Sequence, residues 1–229
     1  MAINRVGTID DRVRVKTALA SVSDKTGLDG FILALVAAIP DLRLLSTGGT
    51  YAALERSLGA HASRNLQQVS SYTGQPEMQG GLVKTLDFRI YLGLLSETYN
   101  PAHAADLART ESATIDLVVV NLYPFQETVS QRGASFEDAR GNIDIGGPCM
   151  LRAAAKNFHR VAVVTDPADY AGLARELAEG NGMLGLATRY RLAQKAFRMT
   201  AEYDAAISRY LAETPFEKAR APYRLGGEG

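Results

Sequence analysis

The chain has 229 residues, 46% of them hydrophobic, and its 25 basic side chains balance 25 acidic ones to give no formal net charge. That length supports one large domain with a sizeable core, and the charge balance leaves no electrostatic footprint for nucleic acid. No stretch reaches the roughly 18 apolar residues of a membrane helix, the N-terminus lacks the apolar core of a signal peptide, and the single cysteine, Cys149, excludes an internal disulfide or a cysteine metal cluster.

Residues 1–14 are polar and are expected to form a flexible segment. Val15 to Ser21 reads as a first strand. Leu28 to Ile39 carries apolar residues at helical spacing (Leu28, Phe31, Ile32, Leu35, Val36) and is stopped by Pro40. Leu42–Leu45 is a short strand. A helix is expected from Tyr51 to Leu58, closed by Gly59. Residues 61–90 read as mostly loop, Ile90–Leu95 as a strand, and Pro101–Arg109 as a helix. Ile115–Asn121 is the clearest buried strand, almost continuously apolar as parallel strands are. A helix follows Gly147, with Pro148 at a position that tolerates a missing N–H. Then come a strand over Arg160–Thr165, a helix over Pro167–Glu179 and a long helix over Leu186–Leu211. Strands alternating with helices predict an α/β domain over residues 15–212, a three-layer αβα arrangement on a mainly parallel sheet, with a tail over 213–229. In such sheets ligands sit beyond the carboxyl ends of the strands.

Five motifs lie where ligands are expected. Ser23-Asp24-Lys25-Thr26 follows the first strand; its hydroxyls and acid cap a helix, and Lys25 can reach a ligand charge. Ser46-Thr47-Gly48-Gly49-Thr50 follows the second; its glycines let the backbone approach a ligand, and the amides beyond can cradle phosphate. Gly80-Gly81-Leu82-Val83-Lys84-Thr85 is a candidate anion clamp. Asn121 and Tyr123 end the strongest strand and can offer hydrogen bonds to a heterocycle or carbonyl. Asp144, Ile145 and Gly146 precede a helix that runs to Lys156, so an acid, a helix N-terminus and a lysine fall within one short stretch. Each motif also has an ordinary structural alternative: a capped helix, a tight turn, a solvated loop lysine, a strand end. Asp144 and Lys156 share one site only if the chain before the helix folds back, because the helix separates them by roughly 12 Å. The three histidines, His61, His103 and His159, have no ligand spacing, so no metal is expected.

Taken together and in this order, these motifs resemble the inosinate (IMP) cyclohydrolase domain, the N-terminal half of bifunctional purine-biosynthesis proteins. The resemblance is carried by Ser21–Leu28, Ser46–Thr50, Gly80–Leu86, Asn121–Phe125, Ile143–Gly147, Leu151–Asn157 and Tyr203–Ile207. It implies a methylglyoxal-synthase-like fold and a homodimer, and the composition, with no signal or membrane segment, leads to the expectation of a cytoplasmic protein. The implied reaction closes the second purine ring with loss of water and without metal or cofactor. By resemblance Asp144 and Lys156 are the acid–base pair, with Lys84 and Tyr123 also catalytic. Ser23, Asp24, Lys25, Thr47, Gly48, Gly49, Thr50, Thr85, Asn121, Ile145 and Gly146 would bind the nucleotide. The chain departs from the family pattern at Leu82, Asp87, Phe88, Tyr91 and Phe158. Leu82 removes an arginine suited to phosphate, for which Lys25, Arg89 or Arg152 are candidate replacements, and Asp87 adds negative charge to a loop expected to meet an anion. The formyl-transfer half of the family is not represented, so a separate formyltransferase is implied unless the chain is a piece of a longer protein. Two other readings are a nucleotide-binding regulator or partner subunit with weakened catalysis, and methylglyoxal synthase; the lack of a histidine in the glycine-rich motifs disfavours the latter.

Overall fold

The computed structural model describes residues 5–76 and 84–226; Gly80, Gly81, Leu82 and Val83 of the candidate anion clamp lie outside them. The described chain opens with β1 (Arg12–Arg14), β2 (Thr17–Val22), α1 (Leu28–Ala38), β3 (Arg43–Ser46), α2 (Gly48–Leu58), α3 (Ala62–Asn65), β4 (Leu66–Gln68) and α4 (Val69–Thr73). It continues with α5 (Phe88–Leu95), α6 (Pro101–Arg109), β5 (Leu117–Asn121), α7 (Phe125–Ser130), α8 (Phe136–Gly141) and α9 (Gly146–Lys156). The last part holds β6 (Ala162–Val164), α10 (Tyr170–Glu179), β7 (Met183–Gly185), α11 (Leu186–Glu213) and α12 (Phe216–Arg220).

Strands β4-β3-β2-β5-β6, in that spatial order, form a parallel sheet. Side chains alternate between its faces with period two. Ala18, Ala20, Leu117, Val119, Ala162 and Val164 pack on one side with α1 and α10. Leu19, Val118, Val120 and Val163 pack on the other with Ile90, Leu94, Leu151 and Ala154. The expected αβα layering is therefore present. The chain runs outward from β2 through β3 to β4, then returns to place β5 on the opposite side of β2. That reversal opens a crevice beyond the carboxyl ends of the central strands, the usual ligand position in such a sheet.

Four expectations are corrected. Ile90–Leu95 is helical, within α5, because Asp87 caps the helix (its carboxylate accepts the Arg89 N–H at 2.8 Å) and Ile90, Gly93 and Leu94 present one buried face. Residues 61–90 are less loop-like than expected, since they hold α3, β4 and α4. The N-terminal segment is tied down at its end, where β1 pairs antiparallel with β7. The second helix begins at Gly48 rather than Tyr51, which puts both glycines of the turn into its first residues. Among the described residues no helix is long and apolar enough to cross a membrane.

Candidate active site

The crevice encloses about 650 Å³ and is lined by chain ends from β2, β3 and β5, by Lys84 to Leu86 and by the start of α9. Its first wall is the loop after β2. Asn121, paired in register with Val22 across the sheet, holds this loop. Its side-chain oxygen accepts the N–H groups of Ser23 at 2.6 Å and Asp24 at 2.9 Å, and its amide donates to the Asp24 carbonyl at 2.7 Å. Asn121 thus shapes this wall through three hydrogen bonds and itself lines the crevice. Lys25 bends back so that its ammonium lies 3.5 Å from the Val22 carbonyl and 3.3 Å from that of Ser23, and it lines the crevice. Asp24 does not line it. Its exposed carboxylate accepts the Thr26 amide and hydroxyl, which hold it below the usual carboxylate range. Asp24 thus holds a turn and does not cap the helix as expected, since Gly27 precedes α1 without a side-chain cap.

The second wall is the turn into α2. Thr47 precedes the helix without a side-chain cap, so the first amides of α2 have no capping oxygen. Such a helix end favours an anion. Gly48 has φ +47°, and a Cβ placed there would lie 3.5 Å from the Lys84 ammonium nitrogen. The glycine thus suits the left-handed conformation and keeps a lysine beside the open amides. The Thr47 hydroxyl lies 3.1 Å from that of Ser21. Thr50 is buried, and its hydroxyl bonds the Val22 N–H and carbonyl, both at 3.0 Å, locking α2 to β2.

The third wall is the segment into α9. Asp144 is half-buried, and its carboxylate accepts the Gly147 N–H at 2.8 Å as well as the Tyr123 N–H. Desolvation still outweighs these bonds and pushes its pKa above the ordinary carboxylate value. The Gly146–Gly147 pair is required by close approach: a Cβ on Gly147 would meet the Asp144 carboxylate at 2.6 Å, and one on Gly146 the Thr85 hydroxyl at 2.8 Å. Tyr123 and Ile145, 50% and 61% exposed, line the opening.

Lys156 is not brought to this crevice. It is the exposed last residue of α9, and ten residues of straight helix carry it roughly 15 Å from Gly146. Of the cations considered in place of the missing arginine, Lys25 lines the crevice, whereas Arg89 donates to the Tyr72 carbonyl and Arg152 lies over the Phe197 ring. Asp87 is turned into its helix cap. Sequence reasoning passed over Ser21, although a hydroxyl near the end of an apolar strand is a local signal for it. It also missed Ile143 and the hydroxyl of Tyr203, which bonds the backbone of Asp144 at 2.8 Å from 59 residues away and has no local signal.

A model of the MGS-like domain matches residues 31–149, more than half of the chain. The chain belongs to the MGS-like domain family. A second model, described as the AICARFT/IMPCHase bienzyme, matches residues 154–226. Over 200 residues the chain is 48% identical to the bifunctional purine biosynthesis protein PurH of Chlorobium phaeovibrioides (strain DSM 265 / 1930); the match takes in 87% of this chain and 37% of that protein. The chain thus spans little more than a third of that relative's length. The crystal structure of ForH is similar with a TM-score of 0.75 and 32% identity, covering 86% of this chain and 97% of that one. The MGS-like portion ends inside α9, at Cys149, and so contains Gly48, Lys84, Tyr123 and Asp144; α11 with Tyr203 falls in the bienzyme match.

Proposed function

We propose that the chain is an IMP cyclohydrolase, closing the ring of 5-formamidoimidazole-4-carboxamide ribonucleotide to inosinate. One observation carries the reading: an uncapped helix start beside the Lys84 ammonium faces the same crevice as a half-buried carboxylate of raised pKa, in a chain 48% identical to PurH. The ribose phosphate sits on the amides of Gly48 and Gly49, with Lys84 and Lys25 supplying positive charge. The carboxamide nitrogen then bonds to the formyl carbon and gives its proton to Asp144. Asp144 passes that proton on to the former formyl oxygen, and the hydroxyl so formed leaves as water with the proton of the neighbouring nitrogen as a C=N bond forms. Because the reaction is intramolecular, the main task of the crevice is to hold one conformer. Tyr123, at the opening, faces the reacting edge.

The same reading includes a cytoplasmic homodimer and a formyltransferase, as a separate protein or a further domain, that supplies the substrate. Lys156 and Asp144 of one protomer act apart, so Lys156 enters the chemistry only if a second copy presents it. Mixing Asp144→Asn with Lys156→Ala subunits tests this, since recovered turnover requires one intact composite site. No histidine lines the crevice among the described residues, and the PurH identity favours ring closure over triose-phosphate elimination. Purified protein is expected to convert the formamido nucleotide to inosinate, followed by ultraviolet absorbance. Folded protein that binds inosinate in calorimetry without turnover would instead mark a regulator, and folded protein that does neither overturns the reading.

A further inference from the structure

Helix α11 contributes nothing to the crevice lining, yet it reaches Asp144 through one side chain. The Tyr203 hydroxyl accepts the Asp144 N–H at 2.8 Å and donates to the Asn142 carbonyl at 3.0 Å. It therefore grips the backbone on both sides of Ile143. The ring of Tyr203 meets the buried ring of Phe125 edge-on, with centroids 6.3 Å apart. Two turns further along α11, Tyr210 meets the same Phe125 at 5.7 Å and stacks with Phe136 at 6.1 Å. The excursion from β5 through α7 and α8 to Asp144 is thereby fastened to the long helix. Its aromatic contacts are adaptable, but the hydroxyl fixes a direction, because a hydrogen bond weakens steeply as its angle opens.

We propose that Tyr203 is a positioning residue that aims the Asp144 carboxylate into the crevice by tying Asn142 and Asp144 to α11. The inference rests on the ring-closure reading for its kinetic consequence and on geometry alone for the tether. The carboxylate is already held at its tip by the Gly147 and Tyr123 amides. With the backbone N–H and the preceding carbonyl also fixed, the acid has little freedom left, and small misplacements of a proton acceptor are costly to rate.

Tyr203→Phe removes one oxygen and keeps the ring. We expect kcat to fall about tenfold, the worth of a hydrogen bond or two, with KM and the calorimetric Kd for inosinate unchanged. Hydrogen exchange of residues 142–147 is expected to rise. Tyr210→Phe, which alters the same helix away from Asp144, should leave all four quantities at wild-type values. Unchanged kcat in an active enzyme, or a KM that rises as kcat falls, overturns the proposal. If wild-type protein shows no turnover, the ring-closure reading fails by itself, and exchange still decides the tether: equal protection of 142–147 in wild type and Tyr203→Phe overturns it, and faster exchange upholds it. Should Tyr203→Phe not fold, Tyr203→Met, which also lacks the hydroxyl and adapts its shape to the space of the ring, carries the same comparison.

Discussion

At the scale of single residues, the crevice concentrates its opposing demands on Asp144. Burial raises the pKa of its carboxyl above the ordinary aspartate value, while the Gly147 and Tyr123 amides pull it down. A carboxyl with a raised folded-state pKa binds its proton more tightly in the folded than in the unfolded chain. Stability is therefore lost as pH rises from the ordinary carboxylate value through the raised one. Activity runs the other way, since a base must be ionised: turnover is expected to fall as pH drops through the raised value, an acid limb displaced above the usual carboxylate range. Asp144→Asn separates the two effects. The amide oxygen can still accept the Gly147 N–H, so the thermal midpoint at neutral pH should hold or rise, while turnover falls by about 10²- to 10⁴-fold. A midpoint that drops by several degrees together with activity would show that the carboxylate serves the fold, not the chemistry. Asn121 makes the complementary point. Its polarity and place at a strand end are legible in sequence, but only the structure reveals that three of its hydrogen bonds hold the loop opposite.

At the scale of elements, α5 illustrates both the reach of sequence reasoning and its limit. The run from Ile90 to Leu95 is apolar at nearly every position, so neither a period of two nor one of 3.6 stands out. What decides the matter is Asp87, whose carboxylate caps the helix through the Arg89 amide. Read as a sequence, the same residue is an unwelcome charge facing an anion. Asp87→Ala is expected to cost about 1 kcal/mol of stability, typical of a lost N-cap, and to leave KM for the nucleotide unchanged; a KM lowered several-fold would restore the electrostatic view. The long buried strand β5 and the helices bounded by Pro40, Gly59 and Pro101 were legible because each has a pattern or a stop within a few residues. Strand β4 was not, since three residues cannot show a period. Helices α7 and α8 are six residues each, and aromatic contacts to the distant Tyr203 and Tyr210 brace them.

At the scale of the whole molecule, the motifs after β2, β3 and β5 converge on one crevice because parallel strands end on the same side of a sheet, and Lys84–Thr85 and the segment into α9 close it from the helical connections. Lys156 fell outside for the same reason: a helix that begins at that side ends on the other. What sequence could not supply are long-range ties, and the largest is Arg189. This arginine is only 1% exposed. Its guanidinium donates to the carbonyls of Phe158 at 3.0 Å, Asp11 at 3.2 Å, Leu184 at 2.5 Å, Asp10 at 2.7 Å and His159 at 3.1 Å. It thus joins the N-terminal segment, the turn after α9 and β7 at one point, beside the β1–β7 ladder. Desolvation lowers its pKa, with Asp11, Asp10 and Glu176 opposing that shift. Arg189→Met fills a similar volume but leaves these carbonyls without their donor, so we expect a loss of roughly 3 kcal/mol or more in urea denaturation. Arg189→Lys should recover little of it, because a compact ammonium cannot reproduce the planar fork. Hydrogen exchange should rise first at 10–14 and 183–185, while turnover at temperatures well below the midpoint stays near wild type, as the crevice lies at the opposite ends of the strands. A loss under about 1 kcal/mol would mean that water replaces the guanidinium at these carbonyls and that the β1–β7 ladder holds the N-terminus unaided.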